Sequence, residues 1–238
     1  MSGTEAAVIA AAVLFAACCQ ACIGFGIGML AAPIVALIDP SLIPATLILV
    51  ATVVTLVVTV LDRDGIDLHG TGWALLGRLP GTVVGALLVA AMPERALALA
   101  LGGVVVGGIV LTSFGWAPTP TRPALVAAGA ASGVLGTATS IGGPAMALVW
   151  QRSEGAALRG TMNGFFLIGS VVSVIALAAT GATSSRTYAA FVLLIPAAIV
   201  GVVLSRYVNR WLDRERLRLV AIAVSSAGAL VLLGQHLV

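Results

Sequence analysis

Arg78 stands inside an apolar stretch, Leu76-Gly77-Arg78-Leu79-Pro80-Gly81-Thr82-Val83-Val84-Gly85. A guanidinium in hydrocarbon needs a partner, a bound anion or a route along which it snorkels to the interface. Two glycine-rich interruptions of other apolar segments could supply the rest of an anion site. The first runs Gly24-Phe25-Gly26-Ile27-Gly28-Met29-Leu30-Ala31-Ala32-Pro33, and the second Gly136-Thr137-Ala138-Thr139-Ser140-Ile141-Gly142-Gly143-Pro144. Backbone that leaves the helix at membrane depth must be buried in protein or line a wet cavity, because lipid cannot satisfy its N–H and C=O groups. The N-terminal end of a resumed half-helix presents free N–H groups and the positive end of a dipole, and the hydroxyls of Thr137, Thr139 and Ser140 add donors. Thr161, Asn163 and Gln20 could also face such a cavity with neutral hydrogen-bonding groups.

A purely structural reading competes at every one of these positions. Glycines let helices pack closely, hydroxyls back-bond to their own helix, and polar neutral side chains hold helices together. Arg78 lies only about six residues, or roughly 9 Å, from the expected start of its helix, within reach of a snorkelling side chain. Two matched interruptions, each closed by a proline, shift the balance toward a cavity, since paired broken segments point to a transporter's binding site. Cys18, Cys19 and Cys22 invite a metal or redox reading, and Cys18 and Cys22 share a helix face. His69 and His236 fall at expected helix ends and no Asp or Glu lies nearby in sequence, so these cysteines are read as packing, with no metal, no cofactor and no catalytic residue expected. The acidic residues all map to loops or helix ends, so no carboxylate proton relay is visible.

These side chains must be positioned by membrane helices. With 60% hydrophobic and 9% charged residues, the chain cannot cover a soluble globule with polar surface. The expected fold is all-α and polytopic, with eight segments near 5–31, 41–61, 72–91, 95–113, 123–150, 156–179, 187–208 and 215–236. They divide into two four-helix repeats, residues 1–118 and 119–238, each with a Gly/Pro-broken first helix. The motif around Arg78 recurs as Val192-Leu193-Leu194-Ile195-Pro196-Ala197-Ala198-Ile199-Val200-Gly201, again with Pro five residues before Gly. Four crossings per half give a parallel repeat; one re-entrant segment per half would make it inverted. If all eight segments cross, Arg95, Arg152, Arg159, Arg206, Arg210, Arg214, Arg216 and Arg218 lie on one side against Arg63, Arg122 and Arg186 on the other, which places both termini outside. Trp73, Trp116, Trp150 and Trp211 fall near helix ends, where indoles favour the interface. The N-terminus has no basic residue before its first apolar run, so no cleaved signal peptide is expected. All twelve basic residues are Arg, read as a topology signal and not as a nucleic-acid surface.

In these features the chain resembles the TauE/SafE family of membrane permeases, also called the sulfite exporter or DUF81 family. The resemblance spans nearly the whole length. It rests on the duplicated halves, the interruptions ending in Ala32-Pro33 and Gly143-Pro144, the small-residue-plus-Thr pairs Ala45-Thr46 and Gly160-Thr161, and the Pro-x4-Gly of each third helix. It implies transport, usually outward, of small sulfur-containing anions such as sulfite, sulfoacetate or other organosulfonates, across the inner or plasma membrane. The chain departs from the commonest family pattern in having Gly24-Phe25-Gly26-Ile27-Gly28 for a denser glycine run and Thr137-Ala138-Thr139-Ser140 where glycines are frequent. A small anion and the bilayer are the expected partners, with a homodimer as a candidate assembly. Expelling a monovalent anion from a negative interior is favoured by about 2.3 kcal/mol per 100 mV, so export needs no coupling carboxylate. Two other classes are a Cys-dependent membrane enzyme and a membrane scaffold that transports nothing.

Overall fold

In a computed structural model, residues 2–113, 118–150, 153 and 155–211 are described, and among them the chain is helical with no strand. Helix α1 (Gly3–Ile23) starts on a capping box in which Ser2 and Glu5 exchange side-chain and backbone hydrogen bonds, and ends at Gly24 in the left-handed conformation (φ 92°). Helix α2 (Ile27–Ile38) follows at once, then a 3₁₀ turn over Pro40–Leu42 and α3 (Ala45–Leu61). After a second 3₁₀ turn, Arg63–Gly65, come α4 (Leu68–Ala91), capped by Asp67, and α5 (Glu94–Ser113). Helices α6 (Arg122–Thr139), α7 (Gly143–Trp150), α8 (Gly155–Ala179) and α9 (Ser185–Trp211) complete the described chain.

The expected first and fifth segments are therefore each two helices, and their breaks are narrower than the glycine runs. Helix α1 stops at Ile23, and α2 runs through Pro33, which is buried inside it and closes nothing. Likewise α6 continues through Gly136, Thr137 and Thr139 to a left-handed cap at Ser140 (φ 65°), and Pro144 is the second residue of α7. Proline at that position loses only an N–H that has no partner in its own helix. The expected last segment, 215–236, lies outside the described residues. Helices α1, α4, α8 and residues Ser185–Val208 of α9 are long and apolar enough to cross a bilayer unaided, while α2 and α3 are shorter apolar helices. Large apolar side chains point outward along α4 (Leu76, Val83, Leu87), α8 (Ile175) and α9 (Val192, Val203). In water such a belt would drive aggregation, and against acyl chains it is the natural surface.

Contacts between helices set their directions. Gly77, Gly81 and Gly85 of α4 lie against Val126, Ala130 and Val134 of α6, in the same order along both chains, so the two helices run parallel. Gly201 of α9 lies against Leu14 and Ala17 of α1, and Cys22 Sγ reaches the Ser205 carbonyl at 3.8 Å, so α1 and α9 also run parallel. The end of α3 meets the start of α8 through the Asp62–Arg159 ion pair, whereas Ala45 and Ile48 at its beginning pack with Leu177 near the end of α8. These two run antiparallel. At the opposite end of the bundle, Asp39 after α2 pairs with Arg186 at the start of α9. Helix α2 thus turns back from the break toward the end where α3 begins.

That return regroups the arginines. Arg63 precedes α4 beside the start of α8, Arg122 stacks over Trp73 at 5.0 Å, and Arg206 shares a cavity with Asp62 and Arg159. Arg63, Arg122, Arg159 and Arg206 therefore share one end, with Arg95 and Arg186 at the other. The sequence expectation put Arg63 and Arg122 with Arg186 because it counted each broken segment as one crossing, which inverts every loop between the two breaks.

The α4–α6 seam is built from glycines. A Cβ at Gly81 would meet the Ala130 carbonyl, and one at Gly133 would meet Arg78 and Thr82 backbone. Backbone can approach this closely only without side chains. Gly81→Leu is expected to destabilise the folded protein by about 1–3 kcal/mol or more, the usual cost of overpacking. Gly72, one turn from the start of α4 with open space around it, should accept Ala without loss. Thermal unfolding in detergent separates the two, and equal unfolding temperatures for Gly81→Leu and the parent would refute the seam.

Candidate functional site

The two breaks meet in the middle of the bundle. Gly28 in the first turn of α2 packs on the Ser140 carbonyl, and Gly143 at the start of α7 packs on Phe25. Between them lies a cavity of about 50 Å³ lined by Gln20, Gly26, Gly28, Arg78, Gly142, Phe166 and neighbours. Arg78 enters it from the middle of α4, only 4% exposed. Its Nη1 donates to Ser132 Oγ at 2.7 Å and to the Ser132 carbonyl at 3.2 Å. The guanidinium carbon lies 4.9 Å from the Phe165 ring centre and 5.4 Å from that of Phe166. Such stacking on desolvated rings favours a cation. Nε has no hydrogen-bond partner, and among the described residues no carboxylate pairs with this arginine. Gly169 makes the placement feasible, since any Cβ there would fall on the guanidinium. Snorkelling is thereby excluded for the side chain as placed: it points into the bundle.

Both short helices start at the cavity. Gly28 and Met29 of α2 and Gly143 of α7 line it, and all three occupy first-turn positions, whose N–H groups have no acceptor within their own helix. The Ile27 N–H is already taken by Gln20 Oε1 at 3.0 Å. Gln20 in turn donates to Asn163 Oδ1 at 3.4 Å, and Asn163 Nδ2 donates to the Arg159 carbonyl at 2.8 Å. This chain of amides fixes the first turn of α2 against α1 and α8.

Of the residues expected at the site, Gly26, Gly28, Arg78, Gly136, Ser140, Gly142 and Gly143 line the cavity. Gly24 caps α1, Pro33 and Pro144 lie along their short helices, and Asn163 stands behind Gln20. The hydroxyls are engaged elsewhere: Thr137 with Ser173 at 2.8 Å, Thr139 with the Leu135 carbonyl at 2.7 Å, and Ser140 with the Pro44 carbonyl at 3.1 Å. Thr161 lies at the end of the bundle, accepting from the Asp67 N–H at 2.9 Å. Sequence reasoning missed Ser132, Phe165, Phe166 and Gly169, which hold Arg78, and Phe25, Met29, Ile48 and Ala51, which form the apolar wall. Only Gly169-Ser170, a small pair in an apolar helix, carried a signal. Cys18, Cys19 and Cys22 are buried in α1 outside this lining.

The arrangement can replace the water shell of a small anion with one guanidinium and the N–H groups of two helix starts. The model of one family, "Sulfite exporter TauE/SafE", matches residues 9–232. No curated protein and no solved structure matches the chain. The chain belongs to the TauE/SafE sulfite exporter family and is a multi-pass membrane protein of a transporter family.

Proposed function

We propose that this member of the TauE/SafE family exports a small sulfur-containing anion, sulfite or an organosulfonate, through the cavity where its two broken segments meet. One observation carries the site: a buried arginine, paired with no carboxylate among the described residues, faces a cavity at which two helix starts converge. Arg78 and the first-turn N–H groups of α2 and α7 hold the anion, while Ser132, Phe165 and Phe166 hold Arg78. Uptake and efflux of labelled sulfite, methanesulfonate and sulfoacetate by proteoliposomes test the reading. Failure of all three to move, with folded protein in the bilayer, would defeat it.

We further read residues 1–118 and 119–238 as repeats of inverted orientation. In support, α1 pairs with α9 as α6 pairs with α4, both pairs parallel, while α3 and α8, the corresponding second helices, run antiparallel to each other. Both first helices end on a left-handed residue, Gly24 and Ser140, and both third helices contain an internal proline, Pro80 and Pro196. Alternating access then takes the form of one repeat rocking against the other about the central cavity.

Among the described residues, the four-to-two distribution of arginines at the bundle ends favours the end with Arg63, Arg122, Arg159 and Arg206 as the cytoplasmic one, which puts the N-terminus outside. A tag before Ser2 is expected to be accessible on intact cells, and Asp64→Cys to react with a membrane-impermeant thiol reagent only after permeabilisation. Reaction of Asp64→Cys in intact cells would reverse the orientation.

A further inference from the structure

We propose that the cavity is built for a monoanion, so that sulfite is carried as hydrogensulfite and singly charged sulfonates such as methanesulfonate as they stand, while dianions, sulfoacetate among them, are refused. The inference deepens the transport reading above and rests on it. Among the described residues that line the cavity, Arg78 alone is charged, and an arginine keeps its charge throughout the physiological range. The groups packed around it from each neighbouring element are neutral: Ser132 and Gly136 of α6, Gly142 in the break, and Phe165, Phe166 and Gly169 of α8. The ionised pairs among the described residues, Asp62–Arg159, Arg63–Asp64 and Asp39–Arg186, belong to the two ends of the bundle and are satisfied there.

One negative charge therefore cancels one positive charge, and the helix starts and Gln20 need only supply hydrogen bonds. A second negative charge meets no second cation. Much of the remaining wall is formed by the apolar side chains of Phe25, Ile27, Met29, Ile48 and Ala51, which replace none of the water a dianion must leave behind. Because the solvation cost of an ion scales with the square of its charge, the dianion loses roughly four times as much on entering and recovers no second ion pair. The same wall tolerates a methyl or methylene group, so a sulfonate carbon fits where a further charged oxygen does not.

Sulfite makes a direct probe, since it interconverts between hydrogensulfite and the dianion close to neutral pH, whereas methanesulfonate is a monoanion and sulfate a dianion throughout. In proteoliposomes, the half-saturating concentration of total sulfite is expected to rise about tenfold for each pH unit above the hydrogensulfite pKa, as the monoanion fraction falls. That of methanesulfonate should stay flat over the same range, and sulfate in about hundredfold excess should leave methanesulfonate transport unchanged. A flat or improving sulfite affinity with rising pH, or competition by sulfate comparable with that of unlabelled methanesulfonate, overturns the monoanion rule while leaving transport intact. If none of these anions moves, the transport reading falls instead, and the charge rule is then decided by binding. Methanesulfonate should raise the unfolding temperature of the solubilised protein and sulfate should not; equal stabilisation by both overturns it.

Discussion

Arg78→Gln is expected to abolish anion transport while leaving the protein folded and in the membrane. The side chain is 4% exposed and makes its hydrogen bonds to Ser132, with its charge over Phe165 and Phe166 and, among the described residues, no carboxylate opposite it. Removing that charge therefore strands no partner anion among the described residues, and the shorter glutamine gives up only the two hydrogen bonds to Ser132. What is lost is the ion pair with the substrate. Truncating one member of a buried, hydrogen-bonded charge pair costs about 2–5 kcal/mol, roughly thirtyfold to several thousandfold in affinity. Ser132→Ala removes only the anchor and should cost less, about 1.5–3 kcal/mol, seen as a raised half-saturating concentration. Arg122→Gln, which disturbs a stack on Trp73 at the bundle end, should leave transport near the parent level. Thermal unfolding in detergent with proteoliposome uptake separates binding from folding. Undiminished uptake by Arg78→Gln would remove this arginine from the pathway.

Arg78 was legible because a charge inside an apolar run violates the hydropathy pattern, and a violation needs a cause. Its supports were not, since Phe165, Phe166 and Gly169 look like any apolar helix face until folding brings α8 beside α4. The breaks were legible as glycine runs, but their edges shifted by several residues. Pro33 is accommodated inside α2, where neighbouring helices and small local adjustments can satisfy a carbonyl that a proline leaves free, and Gly136 through Thr139 stay helical because small residues are needed there to pack α6 on α4. Whether a broken segment crosses or returns depends on tertiary contacts, here the seating of Asp39 on Arg186. The loop parity, and with it the grouping of Arg63 and Arg122, could not be read from local sequence. Hydroxyls near a break promise donors to a ligand, yet Thr137, Thr139 and Ser140 satisfy protein carbonyls and hydroxyls first.

Gly28→Ala should prove more damaging than the same change at Gly143, although sequence alone ranks the two breaks alike. A Cβ at Gly28 would land on the Ser140 carbonyl group, which belongs to backbone that cannot swing aside. Ser140 is the left-handed cap of α6, and its side chain is tied to the Pro44 carbonyl at the start of α3, so yielding there would disturb three helices. At Gly143 the added atom would lie 3.0 Å from Phe25 Cδ2 and 3.1 Å from its Cβ, contacts with a single side chain that a shift of a few tenths of an ångström toward the cavity relieves. Overpacking costs about 1–3 kcal/mol where neighbours can adjust and more where they cannot, so Gly28→Ala belongs at or above the upper end. Its expected signature is a lowered unfolding temperature together with lost transport, because the contact both closes the bundle and sets the cavity wall. Gly143→Ala should stay near parent stability and lose affinity as Phe25 encroaches on the anion's space. A stable, fully active Gly28→Ala would mean that the two breaks do not touch in the working protein, and the cavity between them would have to be redrawn.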